Sequence, residues 1–537
     1  MPEVLDPLAP VSPDAAAQVR SVSREPAFLL AAALYLLTSA ALLVSAWLLC
    51  GRRFIYPLDD AYINMAVAKN FALHGVWGVS PYEFNSTTSS PLYVLLLAGV
   101  YRVSGVNDYS PLVLSGLFGL GAVYLAAAIL REFLRTTVQV VVLSAFVLLT
   151  PLFVLGTLGM EHAFHLFALL LFLAVYRAQS RPLWQLCAVT MLMCAARYEG
   201  LLMAGVAVCV LLARREWRRT AVIAVSAWVP VGCYAWFSIA HGGRWLPNSV
   251  LLKGISTGSG SFVERLSVLA AATAENLGKA PHTVMMSAAM LILASCFWRR
   301  QAKLADWLAL VGGAGVLHLL TASVGWVFRY ESYLVGAGIV VLACAWPKVG
   351  ETARPWRATA QVLLAFALCI LLLRSGLAAL RLPEYSQAIY RQQWQMARFL
   401  KQYYSGGSVA ANDIGLINYQ VDLHCLDLAG LASSEVFSAK REGRDTTEFL
   451  EGLARSRHVE VVMLYESWFG EGSEIKFGGP DLPDNWDRVS RWTLPERNQL
   501  GDKTVAFFGT DPRQDERLRR QLTAFEPSLP AIVKVEK

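Results

Sequence analysis

Eleven apolar runs, at residues 27–50, 111–129, 138–155, 163–176, 183–195, 200–212, 221–240, 283–298, 304–322, 333–346 and 358–373, decide what this chain can fold into. About 20 apolar residues in a helix cross a bilayer, and lipid offers the backbone no other partner. The chain is 55% hydrophobic and only 16% charged, whereas an average soluble domain carries about 25% charge. The expected fold is therefore mostly α, a polytopic membrane helical bundle of about 11 spans. Several runs are shorter than an upright crossing needs. Such helices are tolerated where protein or a wet cavity covers their ends.

Charge orients the bundle. Residues 1–375 carry a formal +10 and residues 376–537 a formal −3, within a net +7. If the apolar stretch 91–103 lies beside the membrane without crossing it, every alternate turn is basic: Arg131/Arg135, Arg177/Arg181, Arg214/Arg215/Arg218/Arg219, Arg299/Arg300/Lys303 and Lys348/Arg354/Arg357. Those turns face the cytoplasm by the positive-inside rule. Arg52 and Arg53 then lie outside, against the rule. The division this gives is a cytoplasmic tail over 1–26, a transmembrane domain over 27–375 with an outer loop at 51–110, and an extracytoplasmic α/β domain over 376–537. In that last part, 408–411, 459–464 and 503–508 read as strands, and 392–404 and 447–456 as helices. Residues 513–537 read as a loosely held end. The positive excess tracks membrane orientation, so nucleic acid is not an expected partner. The nine cysteines show no CxxC or zinc spacing.

The chemistry concentrates after the first span, at Pro57-Leu58-Asp59-Asp60-Ala61-Tyr62-Ile63. Adjacent carboxylates at a bilayer edge are costly through desolvation and mutual repulsion. The spacing predicts a helix over 59–73, with both acids at its N-terminus, where helix amides favour the ionised form. A polar run, Asn85-Ser86-Thr87-Thr88-Ser89-Ser90, closes the loop and suits hydroxyl-rich ligands. Asn85-Ser86-Thr87 also matches the glycosylation pattern, a match common by chance. Arg197 sits between two short apolar runs and needs an anionic partner. Glu199 is too close to supply it on one continuous helix, because i and i+2 diverge. Glu161, His162 and His165 have helical metal-ligand spacing, which makes no site without further ligands.

The stretch from Pro57 through Ser90-Pro91-Leu92-Tyr93 resembles the first outer loop of the GT-C glycosyltransferase superfamily, in particular the branch containing mycobacterial terminal arabinofuranosyltransferases. Gly159-Met160-Glu161, Arg197-Tyr198-Glu199-Gly200, Leu246-Pro247-Asn248-Ser249 with Lys253, Trp326-Val327-Phe328-Arg329-Tyr330, Asn412-Asp413-Ile414-Gly415 and Leu426-Asp427-Leu428-Ala429-Gly430-Leu431 are similar to that branch in order. Tyr198 departs from the branch's proline, and His162 and His165 depart from its usual residues.

The resemblance implies transfer of a sugar, such as arabinofuranose, from a polyprenyl-phosphate donor to a cell-envelope glycan or lipid on the outer membrane face. It implies Asp59, Asp60 and Glu161 as catalytic residues, with Asp59 the leading base. Arg197, Lys253, Arg329 and Asn248 would hold donor and phosphate, and Tyr62, Glu199 and Tyr330 acceptor or sugar. No cofactor is required by these residues, and a divalent cation stays open. An aminated or phosphate-linked sugar, or a non-enzymatic transporter or lipid-binding protein, is the alternative. Asp413 and Asp427 are expected to shape turns.

Overall fold

A computed structural model describes residues 22–178, 182–253, 262–470, 478–495 and 500–537. Each apolar run is helical, the third of them interrupted at Thr150–Pro151 between helices Thr136–Leu149 and Leu152–Leu155. Among the described residues six helical segments are long and apolar enough to cross a membrane: Pro26–Leu49, Ser110–Leu130, Trp217–Ala240, Ala302–Thr321, Ser332–Glu351 and the segment that starts at Arg354. Val263–Lys279 and Pro281–Phe297 form a further pair bent by 93°. By length and composition the count is thus six or seven, below the expected eleven. His162–Arg177, Leu183–Ala196 and Gly200–Ala213 fall short because they begin or end at charged residues, Glu161, Arg197 and Glu199, that cap them.

The two short helices of the first loop, Asp59–His74 and Pro91–Ser104, lie against each other, and Arg102 donates to Ala72 O at 2.8 Å. Gly75 ends the first of them in left-handed backbone, φ 71°, where a side chain would be strained. Asn85 is buried. It donates to Ala432 O at 3.0 Å and accepts from Val79 N at 3.0 Å, so the folded chain does not offer it for glycosylation.

Helix Arg354–Arg391 has 38 residues, about 57 Å at 1.5 Å per residue. It runs straight through the expected domain boundary at 375/376 and delivers the chain to helix Gln393–Tyr403. Beyond lies a six-stranded sheet of strands β1 (Ser408–Ala411), β2 (His424–Asp427), β3 (Val461–Leu464), β4 (Arg488–Thr493), β5 (Thr504–Phe508) and β6 (Lys534–Glu536), in the order β2-β1-β3-β5-β4-β6. Strand β1 pairs parallel with β2 and β3, and the remaining pairings are antiparallel.

Alternation along each strand fills both faces. Val462, Leu464, Ala506 and Phe508 pack with Leu450 and Ala454 of helix Thr447–Ser456. On the other face Phe399, Trp492, Phe507 and Phe525 form an aromatic cluster with ring centroids 4.4–6.0 Å apart. The end expected to be loose is fastened. Asp511 caps helix Pro512–Phe525, which buries Leu518, Leu522 and Phe525, and β6 pairs with β4.

Candidate active site

The first loop and the last domain are joined at the start of helix Asp59–His74. The Asp59 carboxylate accepts from Gly415 N at 2.5 Å and Leu416 N at 2.8 Å, the first amides of helix Gly415–Gln420. Three turns on, Lys69 Nζ donates to Asn418 O and Tyr419 O, each at 3.1 Å, and pairs with Asp422 at 2.9 Å. An acid at the positive end and a lysine at the negative end match the backbone dipoles of the short helix. A Cβ on Gly415 would overlap Asp59 O and Oδ2. Burial and the neighbouring Asp413 carboxylate push Asp59 well above the usual range for an aspartate, against the pull of the two amides. Asp413 in turn accepts from Gln393 at 2.6 Å and the Tyr465 hydroxyl at 2.9 Å.

Asp60 turns the other way, into a cavity of about 230 Å³ that Asp59 does not line. Its carboxylate pairs with Arg329, whose remaining terminal nitrogen contacts Met160 Sδ at 2.8 Å. Arg329 lies over the Tyr330 ring, 5.1 Å from its centroid, and its buried Nε has no hydrogen-bond partner among the described residues.

Across the cavity Arg197 is held by two carboxylates. It pairs with Glu161 and makes a fork to Glu199, Nε at 3.1 Å and a terminal nitrogen at 2.6 Å. This overturns the argument that Glu199 cannot face it. Arg197 ends one helix in extended backbone, φ −160° and ψ 149°, and Glu199 starts the next, so the i, i+2 divergence of a continuous helix does not apply. The anionic partner that Arg197 demands is supplied by the chain itself.

Asn64 donates to Glu161 at 3.2 Å and accepts from Thr88 at 3.0 Å. Asn64 sits one turn after Asp60, so reading the acidic helix at i, i+4 would have found it. The described charged side chains lining the cavity are two arginines (Arg197, Arg329) and three carboxylates (Asp60, Glu161, Glu199), a formal −1.

The other expected residues divide. Tyr330 and Glu199 line the cavity. Tyr62 does not: it is buried between Tyr56 and Tyr419, and its hydroxyl accepts from Tyr56 N at 3.0 Å. Asn248 is buried and donates to Leu431 O at 3.2 Å, which places Leu431 in the cavity wall without Asn248 itself lining it. Asp427 shapes the same turn, accepting from Ala429 N at 2.9 Å and Ala432 N at 2.6 Å. The Lys253 side chain lies outside the described residues. His162 Nδ1 is 3.4 Å from Arg197, while His165 packs on Tyr333 at 4.4 Å. Among the described residues no group of three or more His, Cys, Asp or Glu is arranged to hold a metal ion.

Residues 384–508 match the family model described as "Domain of unknown function (DUF8728)". No curated protein matches the chain by sequence. Among solved structures the chain is similar to ArnT from Cupriavidus metallidurans, in its apo state and bound to undecaprenyl phosphate. Identity is 12% and the TM-score 0.48, over 89% of this chain and 98% of that one. It is also similar to the apo oligosaccharyltransferase of Archaeoglobus fulgidus, at 14% identity and a TM-score of 0.45, over 91% and 78% of the two chains.

Proposed function

We propose that the protein is an inverting membrane glycosyltransferase that moves a sugar from a polyprenyl-phosphate carrier to a hydroxyl of an envelope glycan or lipid, with Asp60 as general base. One observation carries the reading: a cavity lined by five charged side chains at the loop end of an apolar bundle, into which Asp60 and Arg329 project as a pair. An acceptor hydroxyl beside Asp60 gives up its proton to the carboxylate. Its oxygen attacks the anomeric carbon from the face opposite the carrier. The bond from that carbon to the phosphate oxygen breaks, and polyprenyl phosphate leaves with the electron pair.

Arg329 serves both partners. It orients Asp60, and its positive charge at the cavity wall faces the leaving phosphate. The phosphate role thus passes from Arg197, already saturated by Glu161 and Glu199, to Arg329, with Lys253 as a second cation. Arg197, Glu161 and Asn64 form the wall that orients the sugar. A pentofuranose such as arabinofuranose is the proposed sugar, on the strength of the sequence resemblance.

The outer membrane face is supported by the basic turns at the far end of the bundle. There Arg214 pairs with Asp306 at 2.7 Å and Arg219 with Glu216 at 2.7 Å. Membranes carrying the protein, supplied with a panel of radiolabelled polyprenyl-phosphate sugars, are expected to transfer label from one donor and to stop in Asp60→Asn. Transfer that survives Asp60→Asn, or none from any donor by a folded protein, would falsify the reading.

A further inference from the structure

The turn that carries Arg329 is wound against its own backbone. Gly325, Val327 and Phe328 all have positive φ, at 88°, 49° and 61°. Glycine accepts this freely, but a β-branched residue there is a true outlier. Such backbone persists where its surroundings over-determine it. Here a buried ion pair is part of those surroundings. Glu331 Oε2 accepts from Gly325 N at 2.8 Å, at the start of the turn. Arg374, from the long helix Arg354–Arg391, donates to Phe328 O at 2.7 Å, at its end, and to Glu331 Oε1 at 2.7 Å. Ser332 Oγ holds the next carbonyl, Arg329 O, at 2.6 Å, and His282 Nε2 stands 3.6 Å from Glu331. Both ends of the turn are thus tied to a pair of opposite charges that lines no part of the cavity.

We infer that Glu331 and Arg374 are positioning residues, a buried clamp that holds the 325–328 turn in its strained form and so presents Arg329 to Asp60. A salt bridge this deep costs desolvation and is a weak source of stability, whereas it fixes geometry sharply. Its output is the side chain that immediately follows the turn. The clamp stands on its own contacts, and only the task given to Arg329 rests on the transferase reading.

The test uses the full chain, cysteine-free, in lipid nanodiscs. Val324, beside the turn, is buried, so a cysteine placed by Val324→Cys reports opening of the turn through its rate of maleimide labelling. Glu331→Gln with Arg374→Gln removes both charges together and strands neither. Labelling in that double variant is expected to rise at least tenfold, and in Arg374→Lys by less. In the intact clamp Val327→Gly relieves the strain, so its melting temperature should rise with labelling little changed. Unchanged labelling in the double variant overturns the clamp.

A mutant cycle then tests positioning, with binding of undecaprenyl phosphate as the readout. Arg374→Lys should weaken binding severalfold in the parent and add nothing once Arg329→Lys is present. Additive losses overturn the positioning role. Binding without transfer from any sugar donor would count against the transferase and leave the clamp standing.

Discussion

Asp59 and Asp60 are consecutive residues of one helix, and their surroundings share almost nothing. Asp59 is sealed between two domains, where two backbone amides and a second carboxylate compete for it. Asp60, about 100° further round the helix, faces a cavity and pairs with Arg329. A doubled acidic motif is therefore two devices, one that docks the last domain and one to which the proposed chemistry falls. The pair of carboxylates does not say which is which. The direction each leaves the helix does, and that depends on residues more than 260 positions away in both cases.

Breaking the cavity wall should produce the largest effect. Arg197→Gln leaves the buried Glu161 and the half-buried Glu199 with no cation between them, a loss on the order of 3–5 kcal/mol in unfolding free energy. Adding Glu161→Gln should recover part of it, as read by thermal unfolding in detergent. Asp60→Asn should come next, lowering turnover per folded molecule at least about a hundredfold with no faster proteolysis between the domains. Asp59→Asn should do the reverse. Its amide cannot accept from both Gly415 and Leu416, so docking weakens by about 1–2 kcal/mol, seen as faster proteolysis between the domains. Turnover of the folded fraction should remain within a few fold. If both substitutions act alike on turnover and stability, the division of labour is wrong.

The smallest effect is a pH dependence. Asp59 binds its proton more tightly in the docked state than in the unfolded chain. Its contribution to docking is therefore complete below about pH 4, the unfolded aspartate value, and is lost as pH rises through the raised value. Proteolysis of the parent should quicken over that rise, and Asp59→Asn should flatten the curve.

The bundle was legible because a helix in lipid must be apolar along its length, and each run did become helical. The geometry of its breaks was harder to read. The break at Arg197 was legible as the gap between the runs 183–195 and 200–212, but the extended backbone that turns Glu199 back onto Arg197 was not. Strands β1, β3 and β5 were visible as β-branched or aromatic runs. Strands β2 and β6 are four and three residues long and carry charge, and an irregularity between Arg488 and Ser490 breaks the alternation of β4. Glu331 and Arg374 gave no signal, because neither belongs to a motif and they meet only in the fold, 43 positions apart in the chain.

The Asp59 contact with Gly415 joins positions 356 apart in the chain. A cell makes and inserts this protein from its N-terminus. The acidic loop therefore emerges long before the domain that will cover it, and Leu431, part of the cavity wall, arrives later still. Until then Lys69 and Asp59 wait with their partners unmade, and the cavity stands open to whatever lies nearby. Completion of the site is an event near the end of synthesis. A chain cut short before residue 415 would therefore be inserted and helical, yet have no finished cavity.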